Sequence, residues 1–218
     1  MKLNCDLGES YGSWIMGQDE RVMPLIDMAN IACGFHASDP SIMAKTVALA
    51  ARYDVAIGAH PSYHDLVGFG RRSIAHTPEQ IRALIWYQLG ALAGICQARN
   101  LTLSYVKPHG ALNNDMMRDP ALLETVMAAM AAYQPGLTLM IPASSDYPAH
   151  TELAERYELP LMLEAFADRA YDDHGRLVPR AQPGAVHDSL ETIVAQALAF
   201  AQNGGVYTQN GRWLDLPA

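Results

Sequence analysis

Four polar segments carry most of the chemistry in this chain, and each ends an apolar, strand-like run. They are Asn4-Cys5-Asp6-Leu7-Gly8-Glu9, Cys33-Gly34-Phe35-His36-Ala37-Ser38-Asp39, Gly58-Ala59-His60-Pro61 and Lys107-Pro108-His109-Gly110. Histidines, carboxylates and a lysine thus recur at one kind of position. In a wound α/β fold the carboxyl ends of the strands share a face, and active sites are built there. A core needs no ionisable groups at its rim, so the pattern predicts an enzyme.

Each segment suggests its own role. Asp6 ends the first strand, where a carboxylate can ligate a metal or act as a general base; Glu9, three residues on, can do the same or cap the next element. Gly34 permits the tight turn that aims His36 at the shared face, while Asp39 reads as a helix N-cap. His60 is restrained by Pro61, which holds the preceding residue extended. Lys107 at a strand end is expensive to bury unless it faces an anion, such as a ligand phosphate or carboxylate. His109 follows it, with Asn113 and Asn114 as hydrogen-bonding groups or a helix start. Glu164, Asp168 and Arg169 close the sixth strand-like run and suit either a carboxylate-bearing substrate or an internal salt-bridge network. Arg71, Arg72 and Arg180 are further anion contacts, and His64 and Asp65 are ligands or loop contacts. His76, His150, His174 and His187 fall at helix starts or turns and read as surface residues. The histidines with Asp6 can hold a divalent metal or carry protons without one.

The elements that must position these groups alternate. Strands are expected at Lys2–Asp6, Met28–Cys33, Val55–Ala59, Leu103–Lys107, Leu137–Ile141 and Leu161–Phe166, short and apolar as in a parallel sheet buried on both faces. Helices start at Asp39-Pro40, Thr77-Pro78 and Asp119-Pro120, the second with a capping-box Gln80. Ile81, Leu84, Ile85, Leu89, Leu92 and Ile95 recur at helical spacing and predict a face laid on the sheet. Strand–helix alternation gives parallel strands with right-handed crossovers. Pro61–Ser73 reads as an ordered surface loop rich in Gly, His and Arg. Asp172-Asp173-His174-Gly175 and Asn210-Gly211 read as hairpin turns.

Composition narrows the class. The 218 residues show no linker or repeat and are expected to form one domain over 1–218. A net charge of −8 without a Lys/Arg run argues against nucleic acid. The charged fraction, 17% against a usual ~25%, points to a buried interface with a partner or a second copy of the chain. No apolar run reaches the length of a membrane span and no signal peptide is read, while three cysteines in unlike contexts suit a reduced, cytoplasmic protein. No G-x-S-x-G elbow, Walker A loop, G-x-G-x-x-G or C-x-x-C occurs, and a nucleophilic Ser or Cys mechanism is not favoured.

At these same residues the chain resembles the LamB/YcsF family. The matching stretches are residues 3–9, 29–37, 56–63, 68–72, 106–112, 164–171 and 177–180, including Ala59-His60-Pro61-Ser62-Tyr63, Lys107-Pro108-His109-Gly110 and Glu164-Ala165-Phe166-Ala167-Asp168-Arg169. The resemblance implies the A subunit of a bacterial 5-oxoprolinase, which works with subunits B and C to open 5-oxoproline to L-glutamate as ATP goes to ADP and phosphate. It implies an irregular (β/α) barrel of the glycoside hydrolase/deacetylase type with seven strands. Asp6, His36, His60, Lys107, His109 and Glu164 become the expected catalytic group, and Arg71, Arg72, Asp168, Arg169 and Arg180 the expected substrate or phosphate contacts. Related deacetylases of that superfamily hold a metal on Asp and His, which makes Asp6, His36, His60 and His109 the implied ligands. Two departures stand out: Asn113 replaces a usual tyrosine, and the family's last strand, His-Gly-Asp segment and final helix do not follow Ala218, so a C-terminally truncated barrel is expected. A metal-dependent deacetylase-like hydrolase on a small N-acyl or sugar substrate, and a non-catalytic binding or scaffold protein, are the alternative readings.

Overall fold

A computed structural model describes residues 1–217. They group into two compact units. The first comprises Lys2–Met140 and Ala154–Pro160; the second comprises Met1, Ile141–Leu153 and the chain from Leu161 onward.

All six expected strands form: β1 (Asn4–Leu7), β2 (Met28–Ala32), β3 (Ala56–His60), β4 (Tyr105–Val106), β5 (Thr138–Pro142) and β6 (Leu161–Glu164). Their order in the sheet is their order in the sequence, and β1 to β5 pair in parallel. Sequential parallel strands with helical crossovers are the wall of a (β/α) barrel, here with six strands among the described residues where the resemblance implies seven. β4 is shorter than expected, yet its ladder reaches from Ser104 N on Ile57 O to Lys107 N on Ala59 O.

The helices of the first unit start where their caps predict. Asp39 caps α2 (Pro40–Arg52) by accepting from Ser41 N and Ile42 N, Thr77 and Gln80 form the capping box of α3 (Pro78–Gln97), and Asp119 caps α5 (Pro120–Tyr133). Two short helices complete this set, α1 (Asp19–Val22), followed by a 3-10 turn over Met23–Leu25, and α4 (Gly110–Met116). Ile81, Leu84, Ile85, Leu89 and Leu92 of α3 are buried as the spacing predicts, with Cys96 rather than Ile95 completing the face. β2 is buried along its whole length.

One row of the sheet prepares the site. Asp6 pairs in register with Asn30, Asn30 with Gly58, and Gly58 with Tyr105. A Cβ on Gly58 would collide with the Tyr105 ring. The bare glycine lets that ring lean across β3, so its hydroxyl donates to Asn30 Oδ1 at 2.6 Å. Gly58→Ala is therefore expected to destabilise the fold by about 1–3 kcal/mol through overpacking, read as a lowered urea midpoint with an unchanged slope.

α6 (Tyr147–Glu155) starts in the second unit, which also holds α7 (Leu190–Asn203), running from a Ser189 N-cap to a left-handed Gly204. The expected tail hairpin is present as antiparallel β7 (Gly205–Tyr207) and β8 (Trp213–Asp215). The second expected turn closes with Asp172 N on Arg176 O and a Tyr171–Leu177 bridge. Ala143, Tyr171, Phe200, Val206 and Leu216 form a core cluster here. Among the described residues no helix is long and apolar enough to cross a membrane.

Candidate active site at the carboxyl ends of β1 to β4

The four strand-end segments bring their side chains together within the first unit. β1 contributes Asp6 and, just past it, Glu9; the turn after β2 contributes His36; β3 ends on His60; the chain after β4 supplies Lys107 and His109. The ligating atoms of Glu9, His36, His60 and His109 all lie within 4.8 Å of one another. His36 and His109 stack face to face at 3.8 Å, and His60 meets both edge-on.

Asp6 is the best-anchored carboxylate. Its Oδ1 accepts from Lys107 Nζ at 3.0 Å and Asn30 Nδ2 at 2.8 Å, and its Oδ2 lies 3.4 Å from His60 Nε2. Loss of water opposes its ionisation, but His60, Lys107 and the hydrogen bonds from His60 and Asn30 outweigh that and hold the carboxyl well below its usual range. The anion expected opposite Lys107 is thus supplied by the protein itself, with Asn4 Oδ1 at 3.3 Å as a second acceptor. Asp6 is still 38% exposed and Glu9 18%, whereas the three histidine side chains are buried. A ligand therefore approaches past the carboxylates.

Glu9 differs from Asp6. Its Oε1 stands 3.1 Å from His36 Nε2 and 3.8 Å from His109 Nδ1. Burial raises its carboxyl, partly countered by the charge of His60. Burial also drives His36 well below the usual imidazole range and His109 down to about 2, in each case reinforced by the charge of His60.

The loop over residues 61–73 is exposed at His64, Val67 and Arg71–Ser73 and packs on this group through Phe69 and Gly70. Phe69 sits at φ 54°, Gly70 at φ 64°, and the Phe69 carbonyl lies 2.9 Å from His109 Nε2 while its ring meets His36 and His109 edge-on. Non-glycine residues in the left-handed region are uncommon and cluster at functional sites. Asp65 holds the loop: it accepts from Gly68 N and is clamped by the Arg72 guanidinium. Arg72 is thereby engaged inside the loop, while Arg71 is exposed over the Phe69 ring, near enough for its charge to act on Glu9 and His36.

Several contributors have no motif to announce them. Asn30 ties Asp6 to Asn4 and Tyr105. Gln88, at 0% exposure inside α3, accepts from Ser62 N and donates to Ser62 O, fixing the chain just after His60. A polar residue on an otherwise apolar helix face is the one sequence signal that marks it. Gln88→Leu is expected to leave Ser62 N and Ser62 O unpaired and destabilise by about 1–3 kcal/mol, read as a lowered melting temperature.

The other expected site residues belong to the second unit. Glu164 is buried at the end of β6, Asp168 is half-buried, and Arg180 is exposed. Arg169 is buried and donates to Ala185 O and Val178 O, tying that loop together. The cysteines have raised thiol pKa values: burial pushes Cys33 up to about 12 and also raises Cys5 and Cys96.

Comparison with known proteins identifies the family. The 5-oxoprolinase A subunit of Vibrio vulnificus (strain YJ016) is 56% identical over 216 residues, covering 99% of this chain and 87% of that protein. The protein of the same name from Pseudomonas fluorescens (strain Pf0-1) is also 56% identical, covering 99% and 86%. The crystal structure of a lactam utilization protein from Thermus thermophilus superimposes with a TM-score of 0.93 at 40% identity, covering all of this chain and 87% of that one. The LamB/YcsF family model matches residues 1–218. The chain belongs to the LamB/YcsF family.

Proposed function

We propose that this chain is the A subunit of an ATP-dependent 5-oxoprolinase, acting with subunits B and C to convert 5-oxoproline to L-glutamate. The observation that supports the reading most directly is the convergence of Asp6, Glu9, His36, His60, Lys107 and His109 on one accessible rim, in a chain 56% identical to proteins of that name.

The chemistry suits such a group. A five-membered lactam is a stabilised amide that recloses readily, so its opening benefits from coupling to ATP. Phosphorylation of the amide oxygen makes the ring carbon electrophilic. Water adds there, the C–N bond breaks with a proton delivered to nitrogen, and the resulting acyl phosphate is hydrolysed to glutamate and phosphate. In this proposal ATP is handled by the assembled complex, and this chain supplies the ring-opening half. The histidines move the protons of water addition and nitrogen departure. Asp6, held ionised by Lys107 and Asn30, orients His60. Arg71 at the rim meets the substrate carboxylate or the phosphoryl group.

The test is reconstitution. The chain combined with subunits B and C should form glutamate from 5-oxo-L-proline only when ATP is present. A complex inactive on 5-oxo-L-proline would overturn the proposal. The histidine-rich cluster also favours a second reading, a metal-dependent hydrolase of a small N-acyl or sugar substrate; turnover of such a compound by the chain alone, without ATP, would select it.

A further inference from the structure

The tautomers of two histidines impose a condition that the protein atoms alone do not meet. His60 Nδ1 lies 2.6 Å from Lys107 O, and His109 Nε2 lies 2.9 Å from Phe69 O. A carbonyl only accepts, so each of these outer nitrogens carries the hydrogen. The inner nitrogens, His60 Nε2 and His109 Nδ1, are then lone-pair bearing in the neutral rings, yet they face one another at 2.9 Å. Only a cation between them resolves the contact: a shared proton or a metal ion.

A shared proton answers that single contact. The surroundings call for more. Glu9 Oε1 closes on the same space, 3.8 Å from His109 Nδ1 and 3.1 Å from His36 Nε2. Ligands bound at ~2.1 Å lie roughly 3.0 Å apart at a right angle and roughly 3.4 Å apart at the tetrahedral angle, and the observed edges of 2.9, 3.1 and 3.8 Å bracket those values. Metal-bound histidines characteristically donate their outer N–H to a carbonyl or carboxylate, which is what His60 and His109 do.

We infer that His60 Nε2, His109 Nδ1 and the Glu9 carboxylate, with His36 beside them, form a binding site for a divalent transition-metal ion. The carboxylate ligand is Glu9 and not Asp6, because Glu9 groups with His36, His60 and His109 within 4.8 Å, while Asp6 Oδ1 is held by Lys107 and Asn30. Asp6 stands outside the ion, its Oδ2 3.4 Å from His60 Nε2. Imidazole-rich sites with one carboxylate take zinc, iron, nickel or copper in preference to magnesium, calcium or manganese, which favour oxygen ligands. When bound, such an ion would supply Lewis acidity and a more acidic water.

This inference rests on the cluster used in the proposed function, but its test reads metal directly and does not depend on the substrate. Tag-free protein is stripped with chelator, transferred to metal-free buffer and titrated with Zn2+ and, separately, Co2+ by calorimetry and visible absorption. One ion per chain is expected, with cobalt bands typical of mixed nitrogen and oxygen ligation. Glu9→Gln and His109→Ala are expected to weaken Zn2+ by more than the ~10–100-fold that losing a ligand's hydrogen-bonding partner costs, whereas Asp6→Asn keeps one ion per chain. Circular dichroism of the isosteric Glu9→Gln protein establishes that it is folded. Absence of stoichiometric binding in the wild-type chain, with a shared proton on the His60–His109 pair seen by nitrogen NMR, would overturn the site. So would undiminished binding in the folded Glu9→Gln and His109→Ala proteins.

Discussion

His60→Ala is expected to lower ATP-dependent glutamate formation by the reconstituted complex at least ~100-fold, the scale typical of a lost acid–base group. The His60 ring meets four other parts of the cluster: Asp6 Oδ2, His109 Nδ1, the Lys107 carbonyl and the edge of His36. Alanine removes the group that Asp6 orients and the partner that His109 faces. Because His60 is buried, the substitution also leaves a cavity, so turnover must be normalised to the folded fraction from circular dichroism. Asp6→Ala is expected to reach the same scale by another route, through a freed Lys107 and a misoriented His60. Near-wild-type turnover in both variants would remove these strand-end residues from the active site.

Gly70→Ala carries the largest expected effect on stability, roughly 2–4 kcal/mol. Two mechanisms add. The position has φ 64°, where a side chain is strained, and a Cβ there would collide with Ser62 Oγ and approach His36 Cβ at 2.8 Å and His109 Cδ2 at 2.9 Å. Backbone neighbours leave little room to yield, since Gly70 O also accepts from Ala111 N at 2.8 Å. Urea unfolding should show a large drop in midpoint, and the folded fraction should have lost turnover as well, because the clash is with two site histidines. An alanine protein of wild-type stability would mean that the loop over 61–73 does not pack on the histidines as described.

The strands and capped helices were legible because they are written locally. Asp39-Pro40 and Thr77-Pro78 carry their start signals within four residues, and the face from Ile81 to Leu92 repeats at helical spacing. Asp6, His36, His60, Lys107 and His109 were legible as a group because each follows an apolar run. Asn30 and Gln88 were not, since a buried polar residue inside an apolar element reveals its partner only when two distant segments meet. The segment over residues 61–73 could be read as a surface loop but not as one packed on the histidines, for that packing depends on the Phe69 carbonyl meeting His109. Glu9 read as a weaker candidate than Asp6 from spacing alone; the register shows Lys107 and Asn30 reaching Asp6 and leaving Glu9 to the histidines.

The Asp6, Asn30, Gly58 and Tyr105 row has an evolutionary reading. Position 58 can gain a side chain only if position 105 gives up the ring that occupies its space, and losing that ring strips Asn30 of its donor. Asn30 in turn fixes the Asp6 carboxylate. Four residues on four different strands are thus free to drift only together, and a single change among them is a step downhill that a second must reverse. Paired substitutions at 58 and 105 are where neutral divergence of this floor would have to begin.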